Sequence, residues 1–178
     1  MKNILIIFCA LLLCGCAGRL GRNVRNHDKV EMVRVDQLVG NNLTRTPFDQ
    51  KVVYLNARCE TKPSGARQFY LFTEVIAPGD FTLQSGESLV LNLDDEILTF
   101  APTNSPSFNG RKRFVTTFYS VQPDVVIKLA KAMEGRVRIK GANAIIDKEL
   151  SLRNIMLFWD LAERCSLIPV IEPDKIGG

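Results

Sequence analysis

KVVYLNARCETKPSGARQFYLFTEVI, Lys51 to Ile76, is two apolar runs around a Pro-Gly break, and its reading decides the fold. Val52 to Glu60 alternates, so that Val53, Leu55, Ala57 and Cys59 share one face. A period of two over this length predicts a strand with one buried side. Lys62-Pro63-Ser64-Gly65 is turn chemistry, since Pro presets its own backbone angle and Gly accepts a positive φ. The returning run, Arg67 to Ile76, carries Phe69, Leu71, Thr73 and Val75 on one face and Tyr70, Phe72 and Glu74 on the other. Apolar residues on both faces predict a central strand covered on both sides.

Toward the C-terminus the chain breaks at Ala77-Pro78-Gly79-Asp80 and again at Ser85-Gly86, after a short Phe81-Thr82-Leu83 segment. Ser88 to Leu93 and Ile97 to Ala101 predict a hairpin around Asp94-Asp95-Glu96. These acids are favoured turn residues and lack the spacing of a dedicated calcium loop. Pro102 to Arg111 is the longest irregular stretch, with Phe108 in its midst and Arg111-Lys112-Arg113 at its exit. It is either an aromatic-plus-basic loop for a partner or a solvated loop with Phe108 tucked against the sheet. Phe114 to Val121 alternates as another strand.

Ser120 or Gln122 caps a helix that opens with Pro123 and Asp124 and ends at Gly135, with Val125, Val126, Leu129, Ala130 and Met133 on its sheet-facing side. Arg136 to Lys140 and Ala144 to Glu149 form a second hairpin around Gly141-Ala142-Asn143. Ser151 caps a helix to about Arg164. Leu152, Ile155, Met156, Trp159 and Ala162 lie on one side and Leu157, Phe158, Leu161 and Cys165 on the next, an arc wide enough to predict deep burial. Ile168 to Ile171 adds an edge strand, and Pro173 to Gly178 frays.

Toward the N-terminus, Lys29 to Val35 predicts a short strand and Asp36 to Val39 a helical turn before the Asn41-Asn42 loop. Ala17 to Asp28 has glycines, asparagines and three arginines without apolar periodicity, and it holds His27, the only histidine. It predicts a flexible tether, residues 16–28, ahead of a single domain, residues 29–178. Seven to nine mostly antiparallel strands and two late helices give an α+β class. The architecture expected is a twisted sheet or small β-sandwich with the helices packed on it, the alternative being a partly open β-barrel.

Residues 1–15 have the organisation of a signal peptide: Lys2 at the front, an apolar run from Ile4 to Leu13, then small residues before a cysteine. Crossing roughly 30 Å of hydrocarbon takes about 20 helical residues, more than this run supplies. Leu13-Cys14-Gly15-Cys16 resembles the lipobox of bacterial lipoproteins, with Cys14 where Ala or Ser is more usual. That resemblance implies cleavage after Gly15, a diacylglycerol on the Cys16 sulfur and acylation of the new amino terminus. It also implies the outer membrane, because Ala17 stands where an Asp would favour inner-membrane retention. Two or three acyl chains, at about 0.8 kcal/mol per buried methylene, hold far better than one. Arg19, Arg22 and Arg25 beside the anchor either touch anionic head groups or are simply solvated.

Removing residues 1–15 from the 178 leaves 163, enough for one real core. The net charge of +4, or +3 without Lys2, is too small to point to nucleic acid. Of five cysteines, Cys59 and Cys165 remain for the folded part. They are a possible disulfide in an oxidising compartment, or two separate buried thiols. They are too few for a structural zinc site, so no metal is expected. No phosphate-binding glycine loop is present, so no cofactor is implied. With His27 in a tether, a Ser-His-Asp or Cys-His set has no base inside the domain. Glu60, Glu74 and Asp80 are scattered and give no spacing test for a glycosidase pair. The function expected is non-catalytic binding or assembly of an envelope protein or cell-wall partner, through loops or a sheet edge. The alternative is a carboxylate-based hydrolase acting on envelope glycans.

Overall fold

The turn at Pro63 and Ser64 brings β3 (Val52–Thr61) and β4 (Arg67–Ile76) together in ten antiparallel pairs in the computed structural model. The structure describes residues 19–27, 31–44, 51–76, 81–103, 107–109 and 114–169; the expected signal peptide, Cys16 and the expected strand end at Val170 and Ile171 lie outside them. Pairing Val53 with Val75, Leu55 with Thr73, Ala57 with Leu71 and Cys59 with Phe69 places these eight residues on one face, and all are buried. Gly65, at φ +85°, completes the turn with the positive angle that its position demands.

β4 is flanked on its other side by β8 (Phe114–Val121), which adds Val115, Thr117, Tyr119 and Val121 to the same buried face. On the opposite face Phe72 is also buried, its ring stacked on Phe118 at 5.0 Å. This sheet is completed by β1 (Arg19–His27), β2 (Glu31–Val39) and β7 (Ser107–Asn109), in the order β1-β2-β3-β4-β8-β7. A second sheet has the order β10-β9-β5-β6, built from β5 (Leu89–Leu93), β6 (Glu96–Phe100), β9 (Gly135–Lys140) and β10 (Ile145–Glu149). Leu89, Leu91, Val137, Ile139 and Ile146 face inward and join one core with the first sheet. The protein is thus α+β, two antiparallel sheets with α1 (Pro123–Lys131) and α2 (Leu152–Arg164), and its described strands close no barrel.

Asp94 and Asp95, at φ +45° and +71°, form the two-residue turn between β5 and β6, the primed geometry that matches strand twist. Ser151 caps α2 through a reciprocal box with Asn154. Between the sheets, Ser88 Oγ and Tyr119 Oη lie 3.2 Å apart, a buried polar link in an apolar interior.

Several elements depart from expectation. Arg19–His27, predicted as tether, pairs along its whole length with β2, because a backbone ladder needs no apolar stripe, and Leu20 packs on the core. His27 therefore ends a strand, opposite Glu31, and its expected exclusion from the folded part does not stand. Asp36 to Val39 continues β2 instead of forming a helical turn, since β1 and β3 hydrogen-bond it from both sides. The stretch from Pro102 to Arg111 contains β7. α1 stops at Lys131, short of Gly135, which leaves Met133 90% exposed instead of buried. On α2, Leu152 and Met156 are exposed, so its buried arc is narrower than its sequence suggests. Leu167 to Pro169 are not strand.

The most consequential local feature is a bulge at the end of β2. Leu38 pairs with Ala57, yet Asn42 pairs with Tyr54, so the first segment has one residue more than β3 between these points. Gly40, at φ +71°, takes up the excess. The shift turns Asn41 to the core side, where its Oδ1 accepts from Asn154 Nδ2 at 2.6 Å. Asn154 Nδ2 also reaches Asn42 O at 3.0 Å. The Asn41 backbone N–H donates to Asn56 Oδ1, and Asn56 Nδ2 to Glu74 Oε2, at 3.0 and 2.8 Å. One amide chain thus fastens the start of α2 to the large sheet.

Asn154→Ala leaves the buried Asn41 Oδ1 without that donor and removes half of the capping box, so denaturant unfolding is expected to show a loss of about 1–3 kcal/mol. Burial raises the Tyr119 pKa above 10.0. A raised folded-state pKa gives stability that is full below the unfolded value and declines as pH rises toward the folded one. Thermal unfolding of the wild type is expected to weaken above about pH 10, and Tyr119→Phe to weaken less steeply there.

Candidate functional site

Of the residues singled out in the sequence, Cys16, Arg111, Lys112 and Arg113 lie outside the described residues. Phe108 lies in β7, opposite Val115 of β8, so the expected partner-contact loop is anchored at its middle by strand pairing.

Cys59 and Cys165 come together. Cys59 sits in the middle of the large sheet, paired with Asp36 on β2 and with Phe69 on β4. Cys165 is the C-cap of α2, its amide donating to Leu161 O at 2.9 Å and its carbonyl accepting from Arg67 Nη1 at 2.7 Å. Both are free thiols, each 1% exposed. The interaction of the two thiols lowers the Cys59 pKa and raises that of Cys165, with burial opposing the first shift and adding to the second. Asp36, fully buried, disfavours a second negative charge here, while its own carboxylate is 3.0 Å from Arg34 Nε. Thr61 Oγ1 lies 3.9 Å from Cys59 Sγ. A buried dithiol flanked by a buried acid is chemistry that periodicity alone does not reveal, because the partners are about a hundred residues apart.

The second feature is the outer side of the small sheet. Since Val137, Ile139 and Ile146 point inward, Arg136, Arg138, Ile145, Asp147 and Glu149 point outward, together with Ile97 on β6. Arg138 Nη2 meets Asp147 Oδ2 at 2.8 Å, and Arg136 Nη2 meets Glu149 Oε1 at 3.4 Å. Such half-exposed pairs are worth about 0–1 kcal/mol and order the surface more than they stabilise it. At its margins Ile97 and Ile145 are 67% and 61% exposed. Among the described residues β10 pairs only with β9. The bonds Gly141 N to Ala144 O and Leu150 N to Gly135 O set the alternation, so the backbone groups of Ile145, Asp147 and Glu149 face away from β9. The alternation of this hairpin is plain in the sequence, but whether anything covers its polar side is not.

A cleft of about 400 Å³ beside this face is lined by Asp94, Asp95, Glu134, Arg136 and Glu149, among others. Asp94 is committed there: its carboxylate accepts from the Met133 and Glu134 amides, each at 2.9 Å at the closest. Glu60 and Glu74, the other acids considered, lie on the large sheet with Arg58 and Asn56 as partners, and Asp80 is outside the described residues. Among the described residues no three His, Cys, Asp or Glu side chains are grouped to hold a metal ion, and no helix is long and apolar enough to cross a membrane. Compared with known proteins, the chain matches no family model, no curated protein and no solved structure.

Proposed function

We propose that this is a lipid-anchored protein of the bacterial cell envelope, held by acyl chains on Cys16, that binds an envelope protein or cell-wall partner through the small sheet and performs no catalysis. The address rests on the leader and the lipobox-like Leu13-Cys14-Gly15-Cys16, with Ala17 favouring the outer membrane. The observation that carries the binding role is the exposed face and edge of the small sheet. Ile97 and Ile145 are exposed beside the Arg138–Asp147 and Arg136–Glu149 ion pairs, and β10 turns the backbone groups of Ile145 and Asp147 outward, toward an added strand. Burying the two isoleucines on a partner would recover part of about 25 cal/mol per Å² of apolar area.

A hydrolase acting on envelope glycans would have to use the acid-lined cleft. Asp94, with its carboxylate occupied by two backbone amides, is poorly free to act there, which favours the binding reading.

Crosslinking and pull-down from intact cells tests the role. Ile97→Glu with Ile145→Glu is expected to leave stability within about 0.5 kcal/mol per site, as for other surface changes, while the envelope component captured by the wild type is lost. An unchanged crosslinking pattern, or no component recovered with several crosslinkers, refutes it. Cys16→Ala is expected to move the protein to the soluble fraction, and mass spectrometry of the wild type showing a bare Cys16 sulfur would remove the anchor.

A further inference from the structure

We infer that Cys59 and Cys165 are joined as an intramolecular disulfide in the exported protein, stapling the end of α2 to the centre of the large sheet. Three features of the molecule carry this. The fold brings the two residues to one place in the core although they stand about a hundred apart in sequence: Arg67, which holds the Cys165 carbonyl, pairs with Thr61 on the strand that carries Cys59, and each thiol perturbs the other's titration. Each backbone is already held by contacts that owe nothing to a bond between the sulfurs: Cys59 by strands on both sides, Cys165 by the Leu161 carbonyl and by Arg67. Joining them therefore orders little that is not ordered already. The surroundings also suit an uncharged link better than a thiolate, since both sulfurs are buried and the Asp36 carboxylate stands beside them.

The oxidant is a disulfide of the thiol-exchange class, protein-borne or small. The Cys59 thiolate attacks one sulfur of the donor and expels the other as a thiolate, leaving a mixed disulfide. The Cys165 sulfur, on losing its proton, attacks Cys59 Sγ and expels the second donor thiolate. Two electrons pass from the pair to the donor, and the two protons end on its sulfurs. Both cysteines are 1% exposed, so in the folded chain a donor has no approach to either. Exchange proceeds while α2 is undocked, during folding after export.

The test uses the full chain in detergent, unfolded in denaturant with reductant and refolded in a buffer of glutathione and glutathione disulfide. Free thiols are then trapped with a maleimide and the protein is mapped by peptide mass spectrometry. The expected product lacks two hydrogen atoms and yields the Cys59 and Cys165 peptides linked to each other. Its folding equilibrium is expected to be on the order of a thousand-fold more favourable than that of the reduced wild type, as for a staple closing so long a loop. The reduced wild type is the reference for that comparison, so Cys59→Ser and Cys165→Ser serve only as variants that the oxidant should leave unshifted. Both thiols still open to maleimide after equilibration, or stable glutathione adducts on either, would overturn the inference. Because refolding needs no export, a bridge formed on a chain with a bare Cys16 would uphold the staple while removing the anchor.

Discussion

A slip of one residue between β3 and β4 would turn Val53, Leu55, Ala57 and Cys59 away from the core to the opposite face and their polar neighbours in. The ten-pair register of this hairpin is the constraint on which the rest depends, because it decides which side of the large sheet is core. β8 inherits the choice through its pairing with β4, and Tyr119 thereby meets Ser88 of the second layer. The small sheet packs on the side so defined, which leaves its own outer side to solvent.

Polar groups then tie the helices to that core. The extra residue at Gly40 reverses the pleat once, late in β2, and so presents Asn41 to Asn154. Without the reversal the start of α2 would face an apolar strand with its amide unpaired, a cost comparable to a lost buried hydrogen bond. At the other end of the same helix Arg67 grips the Cys165 carbonyl. α2 is thus fixed at both termini, and the cysteine pair lies where the second of these fastenings brings it.

This division of labour frames the proposed role. The large sheet and helices form a well-held body, while the small sheet exposes isoleucines, ordered ion pairs and an edge whose backbone groups face outward. Edge strands that stay monomeric are usually blunted by charge, and here Asp147 and Glu149 sit on the edge beside Ile145. A partner strand would need to complement those carboxylates, which gives the surface selectivity as well as reach.

The sequence by itself determined the elements whose information is local: the β3–β4 hairpin from its period and its Pro-Gly turn, the Asp94-Asp95 turn, the Ser151 cap, and the α+β class that follows from their sum. The envelope address proposed above rests wholly on sequence outside the described residues. What only the tertiary structure decided is non-local. Arg19–His27 has no apolar pattern to announce a strand, and becomes one because β2 offers it a ladder. Met133, Leu152 and Met156 look buried by helical spacing, but the helices end or turn before covering them. Cys59 and Cys165 are each ordinary buried positions in sequence and become a dithiol only when α2 docks on the sheet. Periodicity reports which side of an element is apolar; it holds no information about which distant element that side will meet.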